Sequence, residues 1–161
     1  MGKINYGRVI LGGVVGGIVG ATLDLFINGG LLGQLWLDTA RELNRPNAFS
    51  TTSVAVPVGL FLLFTVGAVL MIWLYAAVRP RLGGGVRTAV YVGLVAWTLV
   101  KLLPNTFWVL AGIFDSRIMF YDTLAGIVEI SAATIVGAAL YKEAESTIAA
   151  PTTAAARQTT R

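Results

Sequence analysis

Three ionisable side chains interrupt long apolar stretches of this sequence: Asp24, Lys101 and Glu129. Inserting a charge without a partner into the middle of a bilayer costs at least about 2.5 to 3.5 kcal/mol. We therefore expect the lysine to pair with the two acids. Two carboxylates around one ammonium leave an excess negative charge, which the protein can relieve by protonating one acid. Such a proton can be exchanged for a transported cation.

Two asparagines extend this polar set. Asn28 follows Asp24 by four residues and Asn105 follows Lys101 by four, so each pair shares one face of a helix. Pro104 should free a backbone carbonyl one turn earlier and bend its helix, and membrane proteins build cavities or ion sites at such bends. The cluster has two interpretations: a coupling site for a proton or cation, or a structural bridge that sets the register of the helices.

The composition around these residues is that of an integral membrane protein. Hydrophobic residues make up 56% of the 161 residues and charged residues only 12%, too few for a water-soluble domain of this size. The formal net charge is +4, but the basic residues lie mainly at the ends of apolar stretches, which argues against nucleic-acid binding. The absence of Cys and His excludes disulfides, thiol chemistry and histidine-ligated metals. We predict no cofactor and no metal site.

Four segments have the length of about 20 mostly apolar residues that a helix needs to cross a bilayer. They comprise residues 9–32, 54–78, 88–112 and 123–141. Asp122 and Thr123 are predicted to cap the last of them. We predict an all-α fold, a four-helix transmembrane bundle within residues 1–145. A disordered cytoplasmic tail is predicted over 146–161, where too few apolar residues remain to form a core.

Basic residues set the predicted orientation. They precede the first span, separate the second from the third and follow the fourth, whereas the opposite side carries fewer. By the positive-inside rule, both termini are expected in the cytoplasm. The residues are Lys3, Arg8, Arg79, Arg81, Arg87, Lys142, Arg157 and Arg161 on the cytoplasmic side, and Arg41, Arg45 and Arg117 on the other.

The segment between the first two spans has its own helical pattern. From Leu32 to Leu43, apolar residues recur at helical spacing with polar residues between them. This pattern predicts a short helix at the outer membrane interface, ended by Arg45 and Pro46 because proline disfavours helix at the residue before it. The functional alternative is a lid over an external cavity.

Five glycines form two adjacent rows along the first span. Gly12, Gly16 and Gly20 are four residues apart, and Gly13 and Gly17 repeat this spacing one residue later. Small residues at this spacing let two helices approach closely. Packing inside a bundle is the simpler interpretation, and binding of a second copy or another membrane protein is the alternative.

An internal duplication is a further hypothesis. A shift of 77 positions superimposes a glycine, an ionisable residue and an asparagine of the first span on the same pattern in the third. The matched pairs are Gly16 with Gly93, Asp24 with Lys101, and Asn28 with Asn105. Two such copies would be parallel, because each contains an even number of spans. Three matches can also arise by chance in a glycine-rich sequence.

Residues 1–5 (MGKIN) with 7–9 (GRV), 73–81 (WLYAAVRPR) and 137–143 (GAALYKE) together resemble an uncharacterised family of small bacterial membrane proteins. The resemblance covers the four spans but not the tail. It implies four transmembrane helices in the bacterial inner membrane and no particular activity.

Two functions are expected from these patterns. The first is a non-enzymatic structural or accessory component, embedded in lipid and assembled as a homo-oligomer or in a larger membrane complex. The alternative is a small proton- or cation-coupled transporter that uses Asp24, Lys101 and Glu129. An enzyme is disfavoured, because no nucleophile accompanies these acid and base groups.

Overall fold

The computed structural model describes residues 4–48 and 54–143. Within these two ranges the chain is all-helical and contains no strand. Four stretches are long and apolar enough to cross a membrane: Tyr6–Leu31, Val56–Leu82, Val86–Leu110 and Ser116–Ala139. The predicted tail over residues 146–161 lies outside the described residues.

The described residues form six α-helices and two π-helical segments. The helices are α1 (Tyr6–Asp24), α2 (Gly33–Glu42), α3 (Ala55–Leu82), α4 (Val86–Trp97), α5 (Leu103–Leu110) and α6 (Ser116–Ala139). The first π segment (Leu25–Leu31) continues α1, and the second (Thr98–Leu102) joins α4 to α5. The short helix predicted after the first span is therefore present as α2.

The start of α6 differs from the prediction. Asp122 was expected to cap a helix that begins at residue 123, but the cap is Asp115, whose Oδ1 accepts a hydrogen bond from the backbone N–H of Arg117 at 2.7 Å. An acceptor side chain at this position satisfies a donor that the first turn of a helix leaves unpaired. The helix therefore begins at Ser116, and Asp122 lies inside it.

The turn between α3 and α4 depends on glycine. Gly83 and Gly85 have φ angles of 81° and 117°, a region that residues with a Cβ rarely adopt. The hydroxyl of Tyr75 accepts a hydrogen bond from the backbone N–H of Gly85 at 2.9 Å. This bond ties the turn to the side of α3, so that α4 runs back antiparallel to α3.

The packing of the long helices places α6 between α1 and α4. α1 contacts α3 and α6, whereas α4 contacts α6 and α3. α1 and α4 themselves share no contact within the described residues. α6 and α3 therefore both connect α1 to α4, and α6 makes the larger contact with α4.

The two glycine rows of α1 face two different helices. A Cβ atom at Gly12 would lie 2.5 Å from the carbonyl oxygen of Gly137 on α6. At Gly13 it would lie 2.5 Å from Cα of Val69, on α3. Both distances are too short for any side chain, so the backbones approach as closely as glycine allows.

The next turn of α1 repeats this arrangement. A Cβ atom at Gly16 would lie 2.7 Å from the carbonyl oxygen of Ala133, and one at Gly17 would lie 2.7 Å from Cα of Thr65. The row that includes Gly12 and Gly16 thus packs on α6, and the row that includes Gly13 and Gly17 packs on α3. The glycine face is covered by helices of the same chain.

Candidate functional site

An acidic cluster, formed by Asp24, Asn28 and Glu129, lies where the first π segment meets α6. The side-chain Nδ2 of Asn28 donates to Oδ1 of Asp24 at 2.9 Å and to Oε1 of Glu129 at 3.2 Å. Its Oδ1 accepts a hydrogen bond from Nε1 of Trp36, on α2, at 3.2 Å. One amide therefore connects two carboxyl groups on different helices to the short helix α2.

Glu129 is the most enclosed member of this cluster. Its side chain is 0% exposed, and its second oxygen, Oε2, has no hydrogen-bond partner among the described residues. A buried polar atom that lacks a partner costs free energy, and native proteins keep few of them. Such an atom at the centre of a polar cluster marks a position that a proton donor can occupy.

A second cluster, called here the ion-pair cluster, contains Lys101, Asn105 and Asp122. Nζ of Lys101 lies 2.6 Å from Oδ1 of Asp122. Nδ2 of Asn105 donates to Oδ2 of Asp122 at 2.8 Å and to Oγ1 of Thr123 at 2.9 Å. Asp122 is only 5% exposed, and both of its carboxyl oxygens are satisfied.

The prediction for the partner of Lys101 is therefore wrong. The sequence pattern predicted that Lys101 would pair with Asp24 and Glu129, but its hydrogen bond goes to Asp122. Asp122 was missed because it was assigned as the cap at the start of the fourth span. Once α6 begins at Ser116, Asp122 precedes Glu129 by seven residues, or about two turns, on the same face. That spacing was the available signal.

The two clusters are close enough to interact electrostatically. The positive charge of Lys101 and the negative charge of Asp122 both act on Asp24 and Glu129. This region thus combines three carboxyl groups with one ammonium group. Since Lys101 balances a single carboxylate, the remaining two acids need a proton or another cation to complete the charge balance.

Both clusters lie at π-helical segments. The first π segment contains Asn28, and the second contains Lys101. In the second, the backbone N–H of Leu103 donates to the carbonyl of Thr98, five residues earlier. This wider turn directly precedes Pro104, whose ring cannot fit a regular α-helical turn. Single π-helical turns occur frequently at functional sites.

A glycine on α6 makes room for the lysine. A Cβ atom at Gly126 would lie 2.8 Å from Cγ of Lys101 and 3.2 Å from Cδ1 of Trp97. The indole Nε1 of Trp97 donates to the backbone carbonyl of Thr123 at 2.7 Å. The stem of Lys101 therefore crosses α6 over Gly126 and brings its ammonium group to Asp122.

A cleft opens beside the ion-pair cluster, between α5 and the first turns of α6. Its volume is about 230 Å³, enough for several water molecules. Asn105 and Thr123 line it and also border Asp122. The other lining residues are Leu102, Thr106, Val109, Leu110, Ser116, Met119 and Phe120. The cleft thus reaches Asn105 and Thr123, which border the buried Asp122.

The chemistry available to these residues is proton binding. Among the described residues, no group of three or more His, Cys, Asp or Glu side chains is placed to hold a metal ion. Asp24 and Glu129 accept hydrogen bonds from the same amide, and carboxyl groups that interact take up protons as a coupled pair.

Comparison of the chain with protein-family models, with curated proteins and with solved structures gives no match. The resemblance to small bacterial membrane proteins therefore stays a prediction. The fold defines a class, an all-helical protein with four helices long and apolar enough to span a membrane. The activity has to be inferred from the clusters between those helices.

Proposed function

We propose that the protein is a small proton-coupled membrane transporter that binds its proton in the acidic cluster. The observation that carries this proposal is the state of Glu129, which is fully buried and has one carboxyl oxygen without a partner in the described chain. Among the described residues, Lys101 is the one cation nearby, and it is already paired with Asp122. The acidic cluster therefore contains two acids and no cation of its own.

The proposal includes a four-helix bundle that spans the bacterial inner membrane with both termini in the cytoplasm. It is supported by the four apolar helices and by the large apolar side chains on their outer surfaces. On α3, Leu60, Leu62, Leu63 and Leu70 are all between 47% and 69% exposed. Lipid contact explains this exposure, which a water-soluble protein would avoid. The orientation follows from the distribution of Lys and Arg.

Proton binding can be coupled to a change in helix packing. When Asp24 and Glu129 share a proton, Asn28 bridges them and holds the first π segment against α6. When the proton leaves, two like charges face each other in a region of low dielectric constant and repel. Lys101 is the nearest group that can compensate. Loss of the proton thus favours a different arrangement of α1 and α6, which is the requirement for coupling.

An assembly role, through the glycine face of α1, has less support. That face is covered by α3 and α6 of the same chain, and bulky substitutions there would first disrupt the monomer. Native mass spectrometry of the protein, extracted gently from its own host membrane, tests this alternative. A stoichiometric second polypeptide would favour an accessory subunit over a transporter.

The proposed function is tested by charge displacement in vesicles adsorbed on a solid-supported membrane. Steps in external pH should produce transient currents as protons bind the wild-type protein. Glu129→Gln should lose most of this current, because an amide cannot take up the proton. Glu42→Gln, the same chemical change at an exposed residue on α2, is the matched control and should behave as the wild type. A full transient in Glu129→Gln would refute the proposal.

A further inference from the structure

A small cavity lies against Glu129, on the side away from the cleft. Its volume is about 20 Å³, and it is enclosed by α1, α3 and α6. Gly16, Gly17 and Gly20 form one wall, and Phe64 and Ala68 belong to another. The glycines precede Asp24 along α1, so the cavity lies towards the end of the helices that carries the 83–85 turn. The cleft lies towards the opposite end.

The cavity has the size of a single water molecule, which needs at least about 10 to 15 Å³. Of the described residues that line it, Glu129 is the only ionisable one, and Oε2 of Glu129 has no hydrogen-bond partner among them. Because Gly16 has no side chain, it leaves the carbonyl oxygen of Ala133, another lining residue, uncovered: a Cβ atom at Gly16 would lie 2.7 Å from it. A carbonyl oxygen has a second lone pair that can accept a hydrogen bond. A water molecule there can therefore donate to Oε2 and to a backbone carbonyl.

A metal cation fits this cavity poorly. Hard cations in proteins are surrounded by about six or more oxygen ligands. The side chains in this lining provide one carboxyl group, and the rest are glycine or apolar. Water needs only two to four polar partners.

We propose that this cavity holds one water molecule, hydrogen-bonded to Oε2 of Glu129, and that this water delivers the proton to Glu129. In the transfer, an O–H bond of the protonated water breaks, an O–H bond forms at Oε2, and a neutral water remains. The reverse step releases the proton. The water site itself depends only on the cavity and the unpartnered oxygen, whereas its role in delivery rests on the proposed function.

Gly20→Ala is the variant that tests the site. A Cβ atom at Gly20 would lie 3.4 Å from Cβ of Ala133 and 3.4 Å from Cδ1 of Phe64, which is ordinary contact. The new methyl group therefore fits and takes the space of the water. Gly67→Ala is the matched control, because a Cβ atom at Gly67 on α3 meets no atom within 4 Å.

The measurement is hydrogen–deuterium exchange of the Glu129 carboxyl group, followed by infrared spectroscopy at a pD low enough to protonate it. The Glu129 band is assigned from its absence in Glu129→Gln. Gly20→Ala should slow the exchange at least tenfold. Its thermal midpoint should not exceed that of Gly67→Ala, because both variants gain the helix propensity of alanine and Gly20→Ala also loses a bound water. Gly67→Ala should exchange at the wild-type rate. Gly20→Ser should restore part of the exchange, because its hydroxyl can replace the water.

Two results would overturn the proposal. Exchange in Gly20→Ala at the wild-type rate would show that the cavity is not on the proton route. A thermal midpoint in Gly20→Ala above that of Gly67→Ala would show that the methyl fills a dry void. If neither Gly20 variant folds, a wild-type density map that shows ordered water decides: density within hydrogen-bond distance of Oε2 supports the site, and an empty cavity overturns it.

This experiment separates the water site from the proposed function. If Glu129→Gln keeps its proton currents while Gly20→Ala still slows carboxyl exchange, the transporter proposal fails and the water site stands. If Glu129→Gln loses its currents while Gly20→Ala exchanges normally, the transporter proposal stands and the water site fails.

Discussion

In both polar clusters, an ionisable residue is followed four residues later by an asparagine that donates to a carboxyl group on α6. Asn28 donates to Glu129, and Asn105 donates to Asp122. Both arrangements lie at a π-helical segment. They differ in the charge of the first residue: the acidic cluster has Asp24 where the ion-pair cluster has a lysine.

Because of this difference, the balancing cation is fixed in the ion-pair cluster and exchangeable in the acidic cluster. Lys101 is covalently attached and permanently available, so Asp122 keeps a partner at 2.6 Å. The acidic cluster has no such residue, and its charge can be completed only by a proton or another exchangeable cation. The equivalence of Asp24 and Lys101 under the 77-residue shift agrees with this view, although the duplication itself stays a prediction.

The largest effect is expected when the first residue of either cluster is replaced by that of the other, in two separate variants. Lys101→Asp removes the one cation and adds a fourth carboxyl group, so we expect little folded protein. Asp24→Lys instead balances two ammonium groups against two carboxylates, and this variant should fold and lose its proton currents. Fluorescence-detected size-exclusion chromatography measures the folded fraction. Equal folded fractions of the two variants would contradict the proposed difference in charge balance between the clusters.

The next effect isolates the ion pair. Lys101→Met leaves Asp122 buried without its cation and should lower the free energy of unfolding by about 3 to 5 kcal/mol. Combining it with Asp122→Asn should recover at least half of that loss, because neither charge then remains buried. The comparison variant is Glu129→Gln, which removes no cation partner and keeps an oxygen that can accept from Asn28, so it should cost clearly less than Lys101→Met. Chemical unfolding in detergent micelles provides the values, and additive single substitutions would contradict the pairing.

Substitution of the two asparagines should have different effects on α2. Asn28→Ala and Asn105→Ala each remove hydrogen bonds to buried carboxyl groups, at a cost of about 1 to 3 kcal/mol. Only Asn28 also binds Trp36 of α2. Hydrogen–deuterium exchange of the α2 backbone should therefore accelerate in Asn28→Ala and stay unchanged in Asn105→Ala. Equal protection of α2 in both variants would show that this hydrogen bond does not hold the helix.

The smallest effect is expected at Gly126. An alanine there brings Cβ to 2.8 Å from Cγ of Lys101 and 3.2 Å from Cδ1 of Trp97. Both are side-chain atoms, which can shift more than the backbone can. The free energy of unfolding should fall by about 1 kcal/mol, within the usual range for overpacking. Gly16→Ala should cost clearly more, because it collides with the backbone carbonyl of Ala133 rather than with a side chain. Thermal unfolding of both variants beside Gly67→Ala tests the order.

Part of the site follows from the sequence alone. Long apolar segments predict the four long helices, because about 20 such residues are needed to cross a bilayer. The rarity of charges in these segments singles out Asp24, Lys101 and Glu129, and the four-residue spacing adds the two asparagines. The alternating pattern after the first span predicts α2. All of these inferences depend on local composition and periodicity.

The pairing of those groups was decided by the tertiary structure. Lys101 selects Asp122 rather than Glu129 because α6 begins at Ser116 and Gly126 lets the lysine stem cross it. The bond from Asn28 to Glu129 joins residues 101 positions apart. The glycine rows could bind any helix, and only the packing assigns them to α3 and α6. Composition and spacing determine which groups are buried. The rotation of each helix about its axis, and the helices it packs against, determine which of those groups meet.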